Sequence, residues 1–522
     1  MSIPKDVKDG CGFRSRFSKT NLTADKERMS VCALSVLFWG MAAHAYVFFH
    51  NTFSHDSLTE FNAAVFGNEW KMQLGRVFVP VYRFLFRGDI NLPWVIGFLS
   101  LLFIFGAVYL SAVLFGVKKK RILFFMGGIY SANLTVSATA ATFINDLDSN
   151  MLALLLSVLS VYLWKKQKNG FVWGILPLGI SLGLYQSYIS TAIALILISL
   201  IVDLLDGKKA AEAFGEGLKG IGMLIGAGIL YLICMKLMLL VGSVALKTDN
   251  YNSVTGFTSL KLSELPRLFG LGYIRTVYRI LAVNASYPQG MIIGLHIVLL
   301  IIGGICFIKA LMKKSTGGRE RILACVLLLL LPIGMNASYV LAGGMSHELM
   351  HYAFWLIYLF MLLLVEKENS ISRTAAGAVL LVLLWGNVRM ANTLYLKKNM
   401  EYDANLSFFT RVADRMEQTE GYASGDTPVV FVELPVHLMK DPAGFEMAGS
   451  VTGAWKEYVP MGMDRWSYQA YFDYVLLNPA VMADAGTWSD MQSDPRVREM
   501  PIYPAAGSLQ MIDGVLVVRL GR

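Results

Sequence analysis

Two acidic pairs, a histidine pair and a set of arginines carry the chemistry of this 522-residue sequence. In HDSLTEF, Asp56 and Glu60 stand four residues apart, close enough to share one face of a helix. Either carboxylate can act as a general base toward a hydroxyl. Ser54, Ser57 and Thr59 are at hand to cap that helix, which leaves Asp56 for another task. In KMQLGRVFVPVYRFLFRGD, Arg76, Arg83 and Arg87 follow at spacings of seven and four, with Val77, Phe78, Phe84 and Leu85 beside them. That pattern predicts a helix lying in a membrane interface, with Pro80 starting or bending it. A guanidinium suits an anionic phosphate, because its planar donors bind oxygens in pairs and it keeps its charge; anchoring to lipid headgroups is the plainer alternative. LSELPRLFGLGYIRTVYRIL repeats the chemistry with Arg267, Arg275 and Arg279.

Three more polar groups stand out. NDLDSN sets Asp146 and Asp148 in an Asp-x-Asp pattern, which either caps the following helix or shares Mg²⁺ or Mn²⁺. HELMH reads His347-Glu348-x-x-His351, the spacing of a zinc-protease pair, but no third ligand follows at short distance, so contacts to a sugar or phosphate are expected there. Tyr185, Gln186 and Tyr188 offer stacking and hydrogen bonds of the kind a sugar needs. No cofactor is expected, with a divalent metal ion left open.

The elements that must hold these residues are membrane spans. With 55% hydrophobic and 16% charged residues, the composition is that of an integral membrane protein. About eleven apolar stretches long enough to cross a bilayer, roughly 20 residues each as helix, recur between Met29 and Asn392. The charged leader, residues 1–28, is long for a cleaved signal, and the run after it reads as an anchor. Of the five cysteines, Cys32, Cys234, Cys306 and Cys325 fall in apolar spans and Cys11 in the leader, so neither disulfides nor a cysteine metal site is expected.

Lys and Arg cluster on alternate connections, at KKKR from 118 to 121 and KKQK from 165 to 168 among others, while the short loops near 143–150, 185–190 and 342–352 have none. This positive-inside asymmetry predicts a cytoplasmic N-terminus and puts the acidic and histidine groups at the outer face. Carboxylates at span ends are costly in lipid, so they are expected to face a wet cavity or a partner. The expected organisation is a helical membrane domain over 29–394, with long outer loops at 51–92 and 247–290, and an extracytoplasmic domain over 395–522. That last segment carries 11 Lys and Arg against 17 Asp and Glu, although the whole chain is +9. The basic excess is a topology signal, and no nucleic acid is implied. NLSFFTRVADRMEQ reads as a helix there, and PVVFVEL and GVLVVRL as strands, with Asp513-Gly514 as a turn. The fold class is mainly α, a polytopic helical membrane protein with a small α/β C-terminal domain.

HDSLTEF after the first span, LGRVFVPVYRFL, INDLDSN, SLGLYQSYIS and the ending MPIYPAAGSLQMIDGVLVVRLG together resemble the bacterial type II Gtr glucosyltransferases of surface-polysaccharide (O-antigen) modification. The resemblance covers most of the chain. It implies the GT-C class of multispan enzymes in the bacterial inner membrane, a polyprenyl-phosphate sugar donor, a cell-surface glycan acceptor and a catalytic carboxylate in the first outer loop. By position that carboxylate is Asp56, with Glu60 next in rank, and Arg76 within LGR leads the phosphate contacts, followed by Arg83, Arg275 and Arg279. A transporter or flippase of lipid-linked sugars is the alternative, since intramembrane charges also mark substrate paths; it predicts internal repeats, and none is visible. A noncatalytic scaffold is a third reading, in which Asp56→Asn leaves function intact.

Overall fold

The structure, a computed structural model, describes residues 19–247, 262–283, 290–313, 316–344, 347–433, 444–445 and 465–521. Much of the second long loop, 248–261 and 284–289, lies outside them, as does most of 434–464. Among the described residues, eight helices are long and apolar enough to cross a membrane. The three further segments of the sequence reading fall short of that measure. Gly170–Leu184 and Tyr352–Val365 are short apolar helices, and Gly318–Met335 carries Arg319, Glu320 and Arg321 in its first turn.

The chain enters with α1 (Lys19–Phe49), so the predicted leader and the first span are partly one helix. Three short helices follow, α2 (His55–Thr59), α3 (Gly67–Gln73) and α4 (Val79–Phe86). An antiparallel bridge between Asn62 and Ile90 closes this first loop on itself. The bundle continues through α5 (Pro93–Leu114), α6 (Lys120–Ser131), α7 (Leu134–Thr142) and α8 (Ile144–Lys166). After these come α9 (Gly170–Trp173), α10 (Ile175–Leu184), α11 (Ile189–Leu205) and α12 (Ala210–Gly242). Close helix approach is set by small residues: a Cβ on Gly127 of α6 would sit 2.0 Å from the Ser35 Oγ of α1.

The break between α6 and α7 is a built feature. Asn133 starts α7 by accepting the Val136 N–H at 3.0 Å, while Asn387 Nδ2 donates to the freed Ala132 carbonyl at 2.9 Å. Backbone groups released inside a bundle must be satisfied in this way when no water is at hand. One residue, Phe143, then separates α7 from α8, so the polar start of α8 is delivered to the same end of the bundle as the first loop. The other end of α8 is held by charges: Lys165 and Lys208 both pair with Asp203 and Glu216.

The predicted boundary at 394/395 falls inside one continuous helix, Ser370–Glu417. At 1.5 Å per residue its 48 residues run about 72 Å. No Gly or Pro lies between Gly386 and the helix end at Glu417. Its first half buries Leu380, Leu384 and Tyr395 in the bundle core; its second half buries Phe408, Phe409, Val412 and Met416 in the core of the C-terminal domain. That domain is built on a four-stranded sheet of β1 (Pro428–Val432), β2 (Val481–Met482), β3 (Leu509–Ile512) and β4 (Val515–Arg519), in the order β2-β1-β4-β3. The two long apolar runs PVVFV and VLVVR pair in parallel at its centre. Alternation sends Val429 and Phe431 to the face covered by the long helix and Val430 and Val432 to the other. Asp513 and Gly514, both at positive φ, make the two-residue turn between β3 and β4, as the sequence predicts.

Candidate active site

A buried network of seven charged side chains forms where the first loop covers the start of α8. Lys71 Nζ lies 2.6 Å from both Glu60 Oε1 and Asp146 Oδ2. Arg83 spans the same two carboxylates, at 3.0 Å from Glu60 and 3.4 Å from Asp146, and Arg76 Nη1 reaches Asp146 Oδ2 at 3.1 Å. Beside them Arg87 Nε holds Asp148 at 2.8 Å and its Nη2 donates to the Asn145 carbonyl at 2.7 Å. Among these described contacts four cations face three carboxylates.

The arginines reach this network because α4 is amphipathic in an inverted sense. Helix α4 begins only at Val79, with Pro80 in its first turn, so Arg76 lies before it and Arg87 caps its end. Arg83 is completely buried, whereas Phe84 is 84% and Leu85 67% exposed. The charged face turns into the protein and the apolar face outward, the arrangement that a membrane surround favours. This departs from the reading in which Arg83 reaches for lipid headgroups. Gly67 makes the close packing possible: a Cβ there would lie 3.1 Å from both Arg83 Nη1 and Glu60 Oε2.

Asp56 sits half-buried in the first turn of α2, directly beside this network in the chain. Ser54 and Ser57 form a reciprocal capping box, so the capping of α2 falls to the serines and not to Asp56. The helix is fixed to the bundle by Ser54 Oγ donating to the Thr142 carbonyl, and by Asn145 Nδ2 donating to the carbonyls of Ser57 at 3.0 Å and Glu60 at 2.9 Å. Neither Asp146 nor Asp148 caps α8, whose start has no side-chain cap. Each is engaged by cations instead, and among the described residues no group of three or more His, Cys, Asp or Glu side chains could hold a metal ion.

Arg76 also forms one wall of a pocket. The space, about 1010 Å³ including its open mouth, is lined by Leu182, Tyr185, Gln186, Tyr231, Leu341 and Met350 among others. The Arg76 guanidinium lies 4.4 Å from the centre of the Tyr185 ring, and its buried Nε has no hydrogen-bond partner among the described residues. Its backbone is held from the far side of the pocket. Gln186 Nε2 donates to the Leu74 carbonyl at 3.2 Å and to Tyr231 at 3.0 Å, and Tyr231 donates to the Gly75 carbonyl at 3.0 Å. Gly75 takes a positive φ of 74°, the turn that sends Arg76 inward. Tyr188 packs against Tyr185 and Tyr352 in the core.

A second charged group borders this region. HELMH is not an α-helix: only Glu348–Met350 form a 3₁₀ turn, so the two histidines do not sit one helical turn apart as a metal pair would. Glu348 pairs with Arg279 from the helical segment 265–283, and His351 Nδ1 lies 3.7 Å from the same carboxylate. Arg275 stacks over Tyr339, and His347 is exposed. Burial pushes the Glu348 carboxyl up, but Arg279 and His351 outweigh it and hold it at about 2. A carboxyl held below its ordinary value of 4.5 contributes stability above that pH and loses it as the pH falls toward about 2. Wild type and Glu348→Gln should therefore differ in thermal midpoint at about pH 5 by at least as much as at about pH 8, since any proton taken up by His351 in this range is favoured by the carboxylate and adds to the gap. A gap that closes over this range would mean that the carboxylate is not held down.

Glu60, Arg76, Arg83 and Asp146 are thus brought together, with Asp148 adjoining; Tyr185 and Gln186 meet Arg76 at the pocket; Arg279, Glu348 and His351 form a separate cluster. Sequence reasoning missed Lys71, although it breaks the charge bias expected of that loop as the arginines do. It also missed Tyr231, a lone phenol inside an apolar helix that carries no signal of its own.

These helices and the sheet define a polytopic helical membrane protein with a small C-terminal α/β region. Residues 45–385 match the family model of Glucosyl transferase GtrII, and the chain belongs to that family; it is a membrane glycosyltransferase. No curated protein and no solved structure matches it. The matched stretch holds both charged clusters and the pocket, and stops short of the C-terminal sheet.

Proposed function

We propose that this protein transfers glucose from a polyprenyl-phosphate donor to a cell-surface glycan, at the extracytoplasmic face of the bacterial inner membrane, as an enzyme of the GT-C class. The observation that carries the reading is a largely apolar pocket between helices that ends on Arg76, a part-buried cation whose Nε meets no acceptor among the described residues. An isoprenoid chain suits the apolar wall, and a phosphate suits the guanidinium. The orientation rests on the charge asymmetry of the loops: N-terminus cytoplasmic, C-terminal domain outside.

In the proposed reaction an acceptor hydroxyl attacks the anomeric carbon while Asp56 takes its proton. The bond from that carbon to the phosphate oxygen breaks, and the polyprenyl phosphate leaves with the electron pair. Arg76 stabilises the charge growing on the leaving phosphate, and inversion at the anomeric carbon follows from the single displacement. Glu60, Asp146 and Lys71 hold Arg76 and Arg83 in place. Arg275, Arg279, His347 and Glu348 extend the charged rim, and Tyr185 and Gln186 supply the sugar's surroundings, with Tyr188 backing Tyr185 from the core.

The test is transfer of labelled glucose by the purified protein from polyprenyl-phosphate glucose, set against a nucleotide-activated sugar. Transfer from the nucleotide donor alone overturns the reading; movement of the lipid-linked sugar across vesicles without transfer replaces it with a flippase. Within that assay Arg76→Lys keeps the charge and loses the fork. It should raise the donor KM about tenfold or more, the size of one charge-assisted hydrogen bond, and lower kcat as well because Arg76 meets the charge growing on the phosphate, with the acceptor KM little changed.

A further inference from the structure

The C-terminal domain lies outside the matched family region, yet part of the first loop sits inside its core. Phe53 and Leu58, which flank and form α2, are buried with Phe409, Phe431, Tyr468, Tyr471 and Phe472, and Leu58 has no exposed surface. At the rim Phe61 stacks on Tyr474, ring centres 4.4 Å apart and planes within 28°. Phe53 meets Phe61 edge-on at 5.5 Å and Tyr402 of the long helix at 6.1 Å. The five-residue α2 is therefore held between two bodies: hydrogen bonds from Ser54 and Asn145 on the bundle side, and an aromatic clamp on the other. A helix of this length has almost no stability of its own, so its order depends on what packs against it.

We infer that the C-terminal domain is a positioning element of the active site. It fixes α2, and Tyr474 and Phe61 are positioning residues acting through that helix on the transfer step. The inference rests on the reading of Asp56 as the base. It differs from a role in gripping the acceptor, because the clamp's apolar faces are used up against α2. The 72 Å helix supplies the rigid connection, since one element carries both cores and leaves no hinge between bundle and domain.

Tyr474→Ala and Tyr474→Phe in the full-length protein, at equal membrane abundance, test this with two readouts. Hydrogen exchange at the α2 amides, such as Leu58 N–H bonded to the Ser54 carbonyl at 2.9 Å, should speed up about fivefold in Tyr474→Ala, with α8 unchanged. The same variant should lose about tenfold in kcat with acceptor KM within about twofold, while Tyr474→Phe stays native in both. Phe61→Leu, which removes the stack from the other side, should reproduce both changes. Unchanged exchange overturns the inference, and a raised acceptor KM with unchanged exchange replaces it with acceptor binding by the domain. Faster exchange with native turnover leaves the packing standing but overturns the positioning role; whether Asp56 is the base is read separately, from Asp56→Asn.

Discussion

Asp56→Asn is expected to lower glucose transfer by about 100-fold or more at equal membrane abundance, the range lost when a general base is removed. Asparagine keeps the shape of the side chain and loses the lone-pair charge that accepts a proton. The fold should tolerate the change, because the capping box of Ser54 and Ser57 and the buried Leu58 hold α2. The loss should fall on kcat, with donor KM little moved, since Arg76 and its pocket stay in place. Glu60→Gln provides the contrast. Both Glu60 oxygens are occupied, one by Lys71 and one by Arg83, so that variant should lose stability along with activity. Activity near native in Asp56→Asn would remove Asp56 from the chemistry.

The residues that announce themselves in the sequence are those that break a rule. Arg76, Arg83 and Arg87 stand in a connection where the charge pattern of the chain leads one to expect few basic residues, and Asp146 and Asp148 stand at the start of an apolar span. Both anomalies lead to the same buried network. Strands β1 and β4 and the Asp513-Gly514 turn were legible for a similar reason, because local pattern determines them. What stays hidden is pairing. Arg76 and Asp146 lie 70 residues apart, and nothing in either segment says which cation meets which acid. Two isolated anomalies become one paired cluster only when the first loop folds over α8. The HELMH segment shows the converse, since a four-residue spacing implies a shared helical face only where the backbone is helical, and here Glu348 is drawn to Arg279 in a 3₁₀ turn. The boundary at 394/395 falls within a helix because the end of an apolar run marks the end of a span, not of a helix: Lys397 and Lys398 continue the same helix toward the C-terminal core.

Asp146→Asn should destabilise the protein by roughly 3 to 5 kcal/mol, the cost of leaving buried cations without their counter-charge. Asp146 is the point through which the network is joined, since Lys71, Arg76 and Arg83 all touch it. With it neutralised, only Glu60 remains to balance Lys71 and Arg83, and Arg76 loses its carboxylate. The same reasoning identifies a rescue. Lys71→Met fills a similar volume without charge, so in the double variant the excess of cations returns to that of the wild type. Asp146→Asn with Lys71→Met should recover at least about half of the lost stability, as a coupled pair in contact does in a double-mutant cycle. The measurement is the thermal midpoint and the denaturant midpoint in one detergent for wild type, both single variants and the double. Additive losses would mean that Lys71 and Asp146 do not act on each other, and the network would then be an arrangement of independent pairs. Recovery of stability without recovery of the donor KM would separate the two duties of Asp146: balancing buried charge, and aiming Arg76 into the pocket.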